Sequence, residues 1–219
     1  MINVVILILL ILIIYKIIIT NNKHIHIIYD GYIFFIDNEK GINDTKINYN
    51  LSIENFDKHM TTKFNLSNSF NDRITLMYNI IKNLYKLRYY LYLNIKKYDK
   101  YKKYILLLYK NFNNKRTKFY ETDENTNLTS YTINKGEIIS LCLINKSNNT
   151  LHDYNLLMYV SIHELAHVAC PDIGHGQLFY EIFKFFILSA IDINIYKYDN
   201  LKKNPREYCG IQLNSYILE

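Results

Sequence analysis

The stretch that most narrows what this chain can fold into is Leu151 to Ala169, LHDYNLLMYVSIHELAHVA, whose apolar residues run nearly all round a helix. A helix with no polar face has to be enclosed, so the remaining elements must wrap it. The few polar residues it carries therefore need a reason to be there. His163 and His167 are four residues apart, which stacks both imidazoles on one face, about one turn apart, within reach of a single metal ion. Glu164 is one step round the helix, where its carboxylate reaches a water on that metal without being a ligand. In this HExxH spacing two neutral nitrogens hold zinc, the metal acidifies its water, and the glutamate accepts the proton.

Beyond the helix the chain supplies a stop and a return. Pro171 disfavours helix at Cys170, and Pro171-Asp172-Ile173-Gly174 makes a turn. His175 then lies between Gly174 and Gly176, and Gln177 to Ile191 opens a second apolar helix. His175 is the expected third ligand, with Asp172 and Glu181 in reserve. Three protein ligands leave the fourth position of a tetrahedral site to water, the arrangement of a catalytic zinc, so one Zn2+ per chain is expected. Asp153 is a candidate hydrogen-bond partner for a ligand imidazole.

Upstream, Met77, Ile80, Ile81, Leu84, Leu87 and Leu91 mark an amphipathic helix from Arg73, capped by Asn71 or Asp72. Tyr98, Tyr101, Ile105, Leu108 and Phe112 mark another helical run. Between Lys82 and Lys118 twelve Lys or Arg face the single acid Asp99, against a net charge of +6 for the whole chain. Such a segment suits a solvated helix face or anionic lipid headgroups, with a nucleic-acid backbone the least favoured partner. Gly136 to Asn145 reads as a strand. His24 to Asp37 reads as a hairpin turning at Asp30-Gly31, and 38–72 as a polar, loop-rich connector with one short helix.

The leader Ile2 to Thr20 is apolar enough to span a bilayer as one helix. Lys16 and Lys23 on its C-terminal flank place the rest of the chain in the cytoplasm by the positive-inside rule. Three cysteines, at 142, 170 and 209, form no CxxC pair, are too few for a disulfide framework, and point to a reducing compartment. The chain thus divides into an anchor (1–20), a hairpin and connector (21–72) and a single domain (73–219).

The HELAH segment followed by Gly174-His175-Gly176 and Phe179 resembles the minimal metallopeptidases of the SprT-like and WLM types. The stretch from Thr129 to Gly176, with Tyr208-Cys209-Gly210, is similar to uncharacterised WLM-like proteins of large DNA viruses. The resemblance covers roughly 115–210. It implies a zincin-like α+β fold with strand 137–144 bordering the substrate cleft, zinc on His163, His167 and His175, and Glu164 as general base. The expected function is a membrane-anchored zinc endopeptidase acting on proteins or peptides, with Tyr208 a candidate to hold the oxyanion. The alternative is a non-catalytic, zinc-binding docking protein at a membrane, for which Glu164 would have no use.

Overall fold

A computed structural model describes residues 24–29, 32–37, 46–49, 68–123, 126–214 and 217–218, the side chains of 24–71 excepted. The leader expected to cross a membrane lies outside these residues; among the described ones, no helix is long and apolar enough to do so.

The fold is mixed α+β. Its sheet holds six strands in the order β3-β1-β2-β4-β6-β5, with β1 His24–Tyr29, β2 Tyr32–Asp37, β3 Lys46–Tyr49, β4 Lys118–Glu121, β5 Tyr131–Ile133 and β6 Ile138–Leu141. The expected hairpin forms, with Tyr29 opposite Tyr32 in an antiparallel register. It is no separate appendage, because β2 runs parallel to β4, Phe34 facing Phe119. The sheet therefore crosses the boundary expected after residue 72. The connector contributes β3, parallel to β1. Helix α1, Asn68–Leu93, starts earlier than its apolar periodicity, which places Asn71 and Asp72 inside the helix and not at its cap.

The core forms where the periodicity places it. Met77, Ile80, Ile81, Leu84, Leu87 and Leu91 of α1 are all fully buried, as are Leu108 and Phe112 around α2, Lys102–Asn111. Tyr98 lies between two short 3-10 turns that precede α2, and Tyr101, the last residue of the second, stacks on Phe185 with centroids 4.0 Å apart. Arg73 reaches from α1 to both carboxylate oxygens of Glu121 at 3.1 Å in a buried pair that fixes α1 to β4.

Two helices complete the domain: α3, Tyr154–Ala169, and α4, Gln177–Asp192. Twelve of the sixteen residues of α3 are buried, as its all-round apolarity requires. Its start is set by Asp153, whose side chain accepts the Leu156 N–H at 3.1 Å. Leu151 and His152 are thereby released from the expected helix, and Thr150–Leu151 (β8) pairs instead with Ile144–Asn145 (β7). At the other end Cys170 is extended (ψ 124°), as the following proline dictates.

A final hairpin, β9 Arg206–Tyr208 and β10 Ile211–Leu213, is tied to the sheet by a disulfide between Cys142 and Cys209. This overturns the expectation of unpaired thiols; Cys170 alone is free, and buried. The two partners are 67 residues apart, and the covalent loop encloses α3 and α4. Closing a loop of that size restricts the unfolded chain enough to stabilise the fold by about 4 kcal/mol. Cys209→Ser should thus unfold at markedly lower denaturant, and reductant should shift the wild type to match; identical midpoints would mean that the bond contributes nothing.

Candidate metal centre and cleft

His163 and His167 project from the same face of α3, and the turn after Cys170 brings His175 back to them. The three Nε2 atoms lie 3.2 Å (His163–His167), 3.1 Å (His167–His175) and 3.0 Å (His163–His175) apart. A nitrogen there carries either a hydrogen or a lone pair. With three atoms of two kinds, at least one contact sets like against like, which is repulsive unless a cation sits among them. Nitrogens bound tetrahedrally to zinc lie about 3.3 Å from one another, so the triangle nearly has the dimensions of a zinc site. Among the described residues, these three are the group able to hold a metal.

The packing around them keeps them in the ligating form. Phe179, fully buried one turn into α4, stacks on His167 at 4.3 Å and meets His163 and His175 at 4.8 Å each. Burial, reinforced by the neighbouring His167 and His175, lowers the His163 pKa to about 3. Burial, His175 and Lys135 together lower that of His167 to about 4. Both rings are therefore neutral donors at physiological pH.

Glu164 is 4% exposed, and burial pushes its carboxyl up to about 7. The hydroxyl of Thr132 donates to its Oε2 at 2.8 Å, which works the other way and fixes the carboxylate's orientation. Thr132 belongs to β5, the antiparallel edge strand beside β6. The cleft borders Thr129 to Thr132, whereas none of 137–144 lines it. The strand next to the cleft is therefore β5, and the expected 137–144 contributes the layer behind it. Thr132 is the site residue that sequence reasoning misses; an alternating strand that must face the metal helix is its only signal.

The cleft is open, about 830 Å³, and differs along the axis of α3. Tyr159, Val160 and Phe183 give it apolar walls at the end towards the start of α3, and Leu213 and Ile217 add to the apolar lining. Asn134, Lys135 and Asp172 line it towards the end of α3.

No family model matches the chain. An uncharacterized protein of Acanthamoeba polyphaga mimivirus is 45% identical over 132 residues, which take in 59% of this chain and 65% of that protein. Uncharacterized proteins of Invertebrate iridescent virus 6 and Invertebrate iridescent virus 3 are 40% and 42% identical over 82 residues each, covering 44% and 50% of their lengths and 36% and 37% of this one. Its curated relatives are viral. The chain spans less than two thirds of each of them. Two structures of Wss1 from Saccharomyces cerevisiae align more remotely: one at 22% identity and TM-score 0.33 over 36% of this chain and 61% of that one. The other, a mutant, aligns at 17% and 0.41 over 59% and 89%. Likeness of that degree transfers no activity.

The remaining candidates fall away from the metal centre. Glu181 pairs with Lys100 at 3.2 Å and accepts from Gln177 at 3.3 Å. Asp172 lines the cleft, but its side chain is not among the metal-holding group. Asp153 caps α3 and does not touch an imidazole; its other neighbour is Arg206, at 4.0 Å. Tyr208 lines the cleft, but its hydroxyl is shared with Ser130 and accepts the Cys142 N–H at 3.2 Å, and burial pushes its pKa up. That hydroxyl links hairpin to sheet and is already engaged.

Proposed function

We propose that the chain is a zinc-dependent endopeptidase. The observation that carries this reading is the triangle of three Nε2 atoms with a buried glutamate, Glu164, one residue along the same helix, at the floor of a cleft. His163, His167 and His175 would hold the ion, three protein donors being the number found in catalytic zinc sites. A bound zinc would supply Lewis acidity there, which acidifies water and polarises a carbonyl. Glu164 accepts the proton from the attacking water and returns it to the departing amine, with Thr132 holding the carboxylate in place. The resemblance of the HELAH and GHG segments to WLM- and SprT-like metallopeptidases supports this assignment, although seven residues separate His167 from His175 where five are usual in WLM-type loops.

The substrate would be an extended protein or peptide segment. Strand β5 pairs on one side with β6 and otherwise borders the cleft, so a strand laid against it adds main-chain hydrogen bonds. An apolar side chain beside the scissile bond would fill the end lined by Tyr159, Val160 and Phe183.

We also propose that residues 2–20 anchor the protein as a single-pass helix and that 21–219 act as one catalytic unit beside the membrane. Leu93, Tyr89 and Leu106 are 62%, 57% and 46% exposed among the exposed lysines 96, 97, 102, 103 and 110, a mixture suited to anionic lipid headgroups. The flanking lysines favour a cytoplasmic domain, whereas the disulfide favours an oxidising side.

The full-length chain, purified in detergent, should contain one zinc per molecule and cleave an unfolded protein. A chelator should stop cleavage, and added Zn2+ should restore it. Zinc without any cleavage would favour the docking alternative, and cleavage indifferent to chelation would remove the metal from the mechanism.

A further inference from the structure

The third histidine arrives on a segment with little to hold it. Residues 171–176 are all exposed, and Ile173 is 97% exposed. A Cβ added at Gly174 or Gly176 would meet nothing within 4 Å. The ring of His175 meets Phe179 and Tyr180, but packing does not fix the backbone that delivers it. Yet its Nε2 stands within 3.1 Å of both other ligands.

The backbone of this loop accepts two hydrogen bonds from one side chain. The Nζ of Lys135 donates to the Cys170 carbonyl at 2.6 Å and to the Asp172 carbonyl at 2.7 Å. An ammonium at this point also suits the carbonyl end of α3.

Lys135 itself springs from a rigid base. It occupies the turn between β5 and β6, where Asn134, Lys135 and Gly136 have φ of 49°, 52° and 98°. Arg116 donates to the carbonyls of Asn134 at 2.5 Å and Lys135 at 2.8 Å. Gly136 is pressed so closely on α3 that a Cβ there would lie 2.9 Å from a Val168 methyl. The base of the lysine is thereby fixed relative to the helix that carries the other two histidines.

Resting on the metal-centre reading above, we infer that Lys135 is a positioning residue that pre-organises His175 for the metal by clamping the 170–172 backbone. Without the clamp, the loop has to be ordered when the metal binds, and that entropy is subtracted from affinity. The contribution matches that of partners outside the ligand shell, whose loss weakens metal binding about 10–100-fold.

The test uses the full-length chain and zinc alone, titrated against a chromophoric chelator. Lys135→Met should bind zinc about 10–100-fold more weakly than wild type. Lys135→Arg, which keeps a cationic donor, should recover most of that loss, and Lys203→Met, at an exposed lysine beyond α4, should change nothing. Bound to Co2+, the Met variant should also show an altered visible spectrum, since the third nitrogen is no longer held in place. Undiminished zinc affinity in Lys135→Met overturns the inference. So does a loss that Arg fails to rescue and that accompanies a lower unfolding midpoint of the metal-free protein, because that is general destabilisation. A wild type that takes up no zinc overturns the metal centre and this role with it; a zinc-binding wild type beside an indifferent Met variant overturns this role alone.

Discussion

Glu164→Gln is expected to abolish hydrolysis while leaving one zinc bound per chain. The substitution keeps shape and burial, and its amide oxygen still accepts the Thr132 hydroxyl, so the cleft should stay intact. What an amide cannot do is take a proton. General-base loss of this kind typically lowers turnover about 10²–10⁴-fold. Zinc content and turnover measured on one preparation decide the matter. Wild-type turnover in the Gln variant would exclude Glu164 as the base.

Zinc itself should be lost when His175 is replaced. The residue is exposed and packs through its ring against Phe179 and Tyr180, so His175→Ala should leave the metal-free fold and its unfolding midpoint unchanged. Removing one of three ligands should weaken zinc binding by more than about 100-fold, beyond what loss of an outer partner does. Glu181→Ala should retain zinc, because that carboxylate is engaged with Lys100. Asp172→Ala should retain it too, keeping the backbone carbonyl that Lys135 uses. Competition with a chelator ranks the three, and an Asp172 variant weaker than the His175 variant would mean a different ligand set.

Much of the architecture can be read from the chain because its information is local. The three- and four-residue steps from Met77 to Leu91 announce a buried face, and Pro171 announces a stop. The three histidines are twelve residues apart at most and joined by one turn, so their convergence follows from a helix and a reversal. The parts that stay hidden depend on strand pairing over long distances. That β2 lies against β4 brings Phe34 beside Phe119, which nothing near either residue foretells. The Cys142–Cys209 bond exists because the last hairpin folds back on the sheet, and cysteine number alone argues the other way. The longer apolar strand is the natural wall of the cleft on sequence grounds; the short β5 takes that place because it pairs antiparallel at the sheet edge, leaving β6 inside.

The ring of Phe179 lies against all three imidazoles and is fully buried in α4. It blocks the approach to the histidines from the protein side. An ion seated there can be reached through the cleft, by the same route that a substrate would take. Metal and substrate would then share a doorway. A polypeptide resting on β5 would act as a cork over the ion on that side, slowing its escape, and a chelator entering through the cleft would have to compete with the substrate.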